Sequence, residues 1–485
     1  LYSLLAEYRT PSTQNTVDIN SFNTYYQAPS IKKTSSPKNL VFIYAESLER
    51  NFLDETLFPN LTPNLKELEQ KSISFTNIIP INAGVTITGM IASQCGIPLM
   101  GASKYQESAM GGMERFLSGA TCIGDLLKSA GYNLTYFGGA NLSYAAKGNF
   151  YSSHGFDTIK GWQEFKPTLK DQNYKNTWGL HDDTLLDLTY QDFEQQSQSK
   201  IPFGLFLLTL DTHAPRGYRN KSCQEVQYLS GKNQYLNSIA CADILITKFI
   251  NRIRNSPYSK NTIIVLVSDH PAHRNHSTKT LNKKKRTNLF LINTHESYYE
   301  QNGLIVDIDG STFDMGVTTL PFLGYTTRSI GLGRNLLQQG LESITSTISS
   351  NIENWRADIL NFWEFPTITS EILIDPIKKE ITIENQDFSF PLYVELFPSE
   401  QKFTSQIHFP SPYSNKDNLL LLIQNGDRTS RFFLIDTCQR TNLLSTKKIS
   451  APYCLFTPNI HEAIKNKTNI TFNRLKSITE PPRNY

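Results

Sequence analysis

The sequence predicts an α/β protein in which a mainly parallel sheet is sandwiched by helices and followed by a smaller β-rich domain. Three observations predict this. Continuous apolar runs of strand length recur through the first two thirds of the chain, as expected of strands buried on both faces. Stretches with helical spacing of apolar residues lie between them, and that alternation is the signature of a parallel sheet with helices on both sides. Beyond about residue 340 the apolar runs shorten and are separated by Pro, Asn, Asp and Gly.

Residues 1–37 are rich in Ser, Thr, Asn and Tyr and end in Ser35-Ser36-Pro37. They read as a linker with little fixed structure of its own. The first strand is Leu40–Tyr44, and similar runs follow at Thr135–Phe137, Phe203–Leu210, Ile263–Val267 and Leu289–Ile292. Thr121 is positioned to cap a helix carrying Ile123, Leu126 and Leu127. Tyr235, Ile239, Leu245, Ile246, Phe249, Ile250 and Ile253 mark one long amphipathic helix. In the last part, Glu371–Asp375, Ile381–Ile383, Leu392–Val394 and Leu419–Ile423 are short and β-like. The expected organisation is a linker over 1–37, a catalytic domain over 38–335 and a β-rich domain over 340–485.

The totals narrow the partners. Of 485 residues, 47 are Lys or Arg and 44 are Asp or Glu, so whole-chain charge makes no case for nucleic acid. The run Lys283-Lys284-Lys285-Arg286 is expected to be a solvated surface. No apolar stretch reaches the roughly 20 residues of a membrane span. The chain opens on Leu1, not Met, which suggests a piece of a longer product with its delivery segment upstream. Six cysteines fall into sequence-adjacent pairs, Cys95 with Cys122, Cys223 with Cys241 and Cys438 with Cys454. An even count closing three short loops fits disulfides in an oxidising compartment; six buried free thiols is the plainer alternative.

Chemistry concentrates where apolar strands stop. The first strand runs into Ala45-Glu46-Ser47, the third into Asp211-Thr212-His213, the fourth into Ser268-Asp269-His270. Ligands bind beyond the carboxyl ends of strands in such sheets. Glu46, Asp269 and His270 offer two carboxylates and an imidazole, a set suited to a divalent metal. Singly, an acid after a strand is more often a cap or turn residue, and only their coincidence on one edge argues for a site. Ala83-Gly84-Val85-Thr86-Ile87-Thr88-Gly89-Met90 opens an apolar helical stretch. A hydroxyl at that helix N-terminus is either an ordinary cap or a nucleophile beside a phosphate site.

Tyr44-Ala45-Glu46-Ser47, Gly84–Pro98, Asp211-Thr212-His213 and Ser268-Asp269-His270 resemble, in that order, the motifs of the alkaline phosphatase/sulfatase superfamily. Within it they resemble the phosphoglycerol transferase branch, which includes lipoteichoic acid synthase and the enzyme that decorates osmoregulated periplasmic glucans. Thr86–Pro98 and the stretch from Phe137 to Asp157 are most similar to the glucan-modifying enzymes. The resemblance covers about residues 38–335 and implies an alkaline-phosphatase-like fold. It implies Thr86 as nucleophile and Glu46, Thr86, Asp269 and His270 as ligands of one divalent metal, Mn²⁺ first and Zn²⁺ or Mg²⁺ as alternatives. His213 would contact the substrate or move a proton. Lys147 stands where the lipoteichoic acid enzymes place an arginine against the phosphate, and Ala145 stands in place of their tryptophan.

The implied reaction moves phosphoglycerol from phosphatidylglycerol to a glycan acceptor through a phospho-threonine. It is placed on the periplasmic face of the inner membrane, with the chain tethered by helices upstream. Two alternatives stay open: a phosphoethanolamine transferase of the same fold, and a non-catalytic glycan-binding protein of the envelope. Cys95-Gly96-Ile97-Pro98-Leu99 lacks the spacing and arginine of a formylglycine site, which speaks against sulfate-ester hydrolysis. His181, Asp182, Asp183 and His273 are candidates for a second metal site, or for the cap of the following helix.

Overall fold

Eight strands make the central sheet of the computed structural model, which describes residues 21–101, 115–295, 303–340, 342–399, 401–410, 420, 423 and 430–479. They are β1 (Asn39–Ala45), β2 (Ile73–Phe75), β3 (Asn133–Gly138), β4 (Thr158–Lys160), β5 (Phe203–Leu208), β6 (Thr262–Ser268), β7 (Phe290–Asn293) and β8 (Leu304–Val306). Their spatial order is β8-β2-β7-β6-β1-β5-β3-β4. β1 lies between β5 and β6 and is parallel to both, whereas β7 runs antiparallel to β6 and β2. All residues of β1, β5, β6 and β7 are buried, which is why these segments are apolar without alternation.

The two-residue period of a strand divides each run between two cores. Leu40, Phe42 and Tyr44 face one apolar cluster with α1 (Thr86–Cys95), α2 (Ile123–Ser129) and α3 (Lys147–Ser153). Val41, Ile43 and Ala45 face the other, with α4 (Asp182–Ser197) and α5 (Gln234–Arg254). The predicted long amphipathic helix is α5, capped by Asn233, whose side chain accepts the Leu236 N–H at 3.2 Å. The predicted cap of α2 is displaced. Cys122 holds the N-cap position, and the Asp125 carboxylate accepts its N–H at 2.8 Å, so Thr121 is not needed.

The first twenty residues of the expected linker lie outside the described residues. The rest of it is more fixed than its composition suggests. Phe22 is buried and meets Trp355 edge-on with centroids 5.8 Å apart, and Lys32–Lys33 pair with Tyr325–Thr326. Aromatic anchors within a polar segment supply the apolar burial that its average composition conceals.

Toward the C-terminus two antiparallel sheets follow. One has six strands and includes Leu392–Pro398, Phe403–His408 and Arg431–Thr437; the other has four and includes Glu371–Asp375 and Glu380–Ile383. The Leu419–Ile423 segment falls almost entirely outside the described residues. Ile372, Ile381, Val394 and Phe433 from these sheets join the same apolar cluster as α1. The three expected disulfides are present, Cys95–Cys122, Cys223–Cys241 and Cys438–Cys454.

Candidate active site

The carboxyl ends of β1 and β6, adjacent in the sheet, bring Glu46, Asp269 and His270 together. One ligand atom from each lies within 4.8 Å of the others, and all three residues are fully buried. The Thr86 hydroxyl reaches this cluster from the first position of α1, 3.2 Å from Glu46 Oε2 and 3.4 Å from His270 Nε2. The cap role belongs to Thr88, whose Oγ1 accepts the Val85 N–H at 3.2 Å. Thr86 is thereby left turned toward the acids.

The turn after β1 is shaped for this purpose. Ser47 holds the left-handed backbone conformation at φ 57°, uncommon for a residue with a side chain. Its N–H donates to Asp269 Oδ1 at 2.9 Å and its hydroxyl to Glu46 Oε1 at 2.7 Å, so one strained residue orients both acids. α1 presses onto the same spot. A Cβ added at Gly89 would lie 1.8 Å from the Asp269 carbonyl oxygen, so only glycine permits this approach.

The donor set fits a divalent cation. Asp269 Oδ2 is buried with no hydrogen-bond partner. His270 Nδ1 donates to the Pro271 carbonyl at 2.8 Å, which leaves Nε2 facing the acids. His270 Nε2 stands 3.4 Å from both Glu46 Oε1 and Asp269 Oδ2. Ligands about 2.1 Å from a tetrahedral metal are separated by about 3.4 Å. The electrostatics point the same way. Burial, reinforced by the Glu46 charge, pushes Asp269 up to about 7. Burial also opposes the His270 imidazolium, but the Asp269 and Glu46 charges outweigh it and push the ring up to about 10. Two buried carboxylates in contact call for more positive charge than one imidazolium carries.

Lys147 begins α3 after two successive left-handed residues, Ala145 and Ala146. It is buried, and its ammonium donates to the Tyr144 carbonyl at 2.9 Å. Burial pulls it down to about 8, against the opposing charges of Glu46 and Asp269. His213 follows Thr212, whose hydroxyl donates to the Glu46 carbonyl oxygen. His213 Nδ1 donates to the Ala214 carbonyl at 2.8 Å, leaving Nε2 as the acceptor in the neutral ring. Thus Glu46, Thr86, Asp269 and His270, four of the six sequence-predicted residues, are brought into direct contact, while Lys147 and His213 bond to the Tyr144 and Ala214 carbonyls of their own loops.

Other predicted features have structural roles. Asp182 accepts the backbone N–H groups of Leu210 and Asp211 at 2.6 and 2.9 Å, while Asp211 accepts from His181 Nδ1 and Asn176 Nδ2 at 2.7 and 2.8 Å. Burial and the Asp211 charge push the Asp182 carboxyl upward. These groups clamp the loop bearing His213. His273 lies against His270 with the rings tilted by 46° and centroids 4.7 Å apart, and no second metal cluster containing it or His181, Asp182 or Asp183 forms among the described residues. The other grouping of potential ligands includes Cys122, whose sulfur is engaged in a disulfide.

The basic run is only partly a solvated surface. Arg286 grips the buried Glu49 through Nε at 2.9 and 3.0 Å, and Glu49 accepts the Ala272 N–H at 2.9 Å, bracing the loop that follows His270. Sequence reasoning missed this brace, and it missed Trp178, whose ring packs against His213 at a 38° tilt with centroids 4.1 Å apart. Both partnerships cross tens of residues and leave no periodic trace; the Trp178-Gly179 dipeptide before an acid cluster was the available signal.

Comparison with known proteins places the fold in a family. The sulfatase family profile matches residues 38–299. Phosphoglycerol transferase I of Escherichia coli O6:K15:H31 is 37% identical over 412 residues, covering 82% of this chain and 53% of the relative. The protein of the same description from Salmonella choleraesuis matches equally. The chain spans about half the length of these relatives. A Vibrio parahaemolyticus protein of the alkaline phosphatase superfamily superposes with TM-score 0.53 at 23% identity, over 66% of this chain and 74% of that one. The lipoteichoic acid synthase LtaP of Listeria monocytogenes gives 0.52 at 19%, over 65% and 80%. The chain belongs to the sulfatase family and has the alkaline-phosphatase fold.

Proposed function

We propose that the chain transfers phosphoglycerol from phosphatidylglycerol to a glycan acceptor through a phospho-Thr86 intermediate. The observation carrying this proposal is the Thr86 hydroxyl, at a helix N-terminus and within 3.4 Å of a buried Glu–His pair. The 37% identity to phosphoglycerol transferase I supports the choice of donor group.

Glu46, Asp269, His270 and Thr86 would hold a divalent cation, manganese by the family resemblance, with zinc and magnesium as alternatives. Such an ion supplies Lewis acidity and neutralises phosphoryl charge. In the first step Thr86 Oγ forms a bond to the donor phosphorus, the bond to the diacylglycerol oxygen breaks, and the threonine proton ends on that oxygen. The α1 N-terminus and Lys147 face the phosphoryl oxygens. In the second step the acceptor oxygen bonds to phosphorus, its proton passes to His213 Nε2, and Thr86 leaves and regains a proton. Three disulfides suit an extracytoplasmic, oxidising compartment. No helix among the described residues is long and apolar enough to cross a membrane.

The test is to incubate the protein with phosphatidylglycerol, quench, and weigh the peptide containing Thr86. A phosphoglycerol adduct is expected on wild type and none on Thr86→Ala, whose turnover should fall to background. Full turnover by Thr86→Ala would sink the nucleophile assignment. An adduct formed only from phosphatidylethanolamine would replace the donor.

A further inference from the structure

Beside the catalytic cluster runs a short row of rings. The Trp178 ring lies 4.1 Å from His213 at 38°, and Tyr144 meets Trp178 edge-on at 5.6 Å and 65°. Tyr144 is 43% exposed and Trp178 is half-buried. The row is tied to the reaction centre at its His213 end. Lys147 lies over the Tyr144 ring at 4.7 Å, and Thr212, the neighbour of His213, donates its hydroxyl to the Glu46 carbonyl oxygen.

The placement of Trp178 is built, not incidental. Buried Asn176 accepts the N–H groups of Trp178 and Gly179 at 2.7 and 3.0 Å and donates to Asp211 Oδ1 at 2.8 Å. Asp211 lies two residues before His213, so one buried carboxylate anchors the loops that carry both rings. Gly179 lets this loop close onto the end of β3, since a Cβ there would lie 2.0 Å from the Gly139 carbonyl oxygen.

We propose that Trp178 and Tyr144 form the acceptor subsite, a stacking platform that holds a sugar ring with one hydroxyl presented to His213 Nε2. This deepens the transfer function proposed above and rests on it for the second step. An aromatic face carries negative potential and suits the weakly positive C–H face of a pyranose. The platform's surroundings are polar. Thr177 Oγ1 accepts from Tyr218 at 2.9 Å, and Lys147, Asn176 and His213 complete the setting. An acyl chain would need apolar walls, and a glycerol unit has no ring face to stack. With the sugar docked, its hydroxyl proton moves to His213 Nε2, its oxygen bonds to phosphorus, and the Thr86 Oγ–P bond breaks. Trp178 is a positioning residue in this scheme.

Binding can be measured without turnover. A β-linked glucose oligosaccharide is titrated into the Thr86→Ala protein while tryptophan emission is followed. The sequence has four tryptophans, so the same titration is repeated in Thr86→Ala/Trp178→Ala and in Thr86→Ala/Trp178→Phe. The expected result is saturable quenching in the parent, loss of detectable binding by calorimetry in the Ala variant, and retention in the Phe variant. In turnover, Trp178→Ala should raise KM for the oligosaccharide roughly tenfold, with KM for phosphatidylglycerol moving far less. Unchanged calorimetric affinity in the Ala variant, or an equal rise in both KM values, would overturn the proposal. Absence of a Thr86 adduct would defeat the transfer function while the binding measurement still decided the subsite.

Discussion

At the scale of single residues, the site turns on charges buried without full compensation. Asp269→Asn removes one of two buried carboxylates, and calorimetric titration with Mn²⁺ should then show no tight site. Ser47→Ala keeps every ligand but frees Glu46, and metal affinity should fall roughly tenfold. Lys147 supplies the pH dependence. Burial disfavours its charged form, so the positive charge is present below about 8 and lost as pH rises past it. The KM for phosphatidylglycerol should therefore climb above that pH in wild type, whereas Lys147→Arg, which stays charged, should give a flat profile. A flat wild-type profile would remove Lys147 from contact with the phosphate. Glu46, Asp269 and His270 were legible as candidates because each follows the end of an apolar strand. Thr86 was legible as one of two hydroxyls; the hydrogen bond of Thr88 to the Val85 N–H decides between them.

At the scale of elements, α1 carries Thr86 at one end and Cys95 at the other. Tyr44 and Ser93, hydroxyls 2.7 Å apart, fasten its middle to β1. Gly89→Ala should push α1 off the Asp269 carbonyl, lowering turnover and metal affinity together, as enzyme assay and calorimetry would register. The Cys95–Cys122 disulfide closes a loop with a sequence separation of 27. Replacing both cysteines by serine should lower unfolding free energy by about 3 kcal/mol, read from urea denaturation. The strands were readable at this scale, but the antiparallel sense of β7 was not. A strand buried on both faces has the same apolar run in either direction.

At the scale of the molecule, the apolar cluster under α1 continues into the C-terminal sheets and into the segment bearing Phe22. Phe22→Ala should cost about 3 kcal/mol, because it empties a site walled by Trp355, Phe362 and Tyr26. Equilibrium unfolding would measure it. A division of the chain near residue 340 is a proposal with a direct check. If the β-rich part is needed to cover that cluster, a chain ending at residue 335 should aggregate or bind a hydrophobic dye. A monodisperse, cooperative folder would instead establish an independent catalytic domain.

The sequence by itself determined the layered α/β order, and it offered as candidates the three cysteine pairs and the residues Glu46, Thr86, Asp269 and His270 that the fold brings together. Burial on both faces, short loop closure and polar interruption of apolar strands are all local in the chain. Only the tertiary structure decided that Asp211 and Asp182 brace a loop, that Arg286 serves the buried Glu49, and that Trp178 stands against His213. Those partners are brought together by the order of strands in the sheet, and contacts of that kind have no period in the sequence to reveal them.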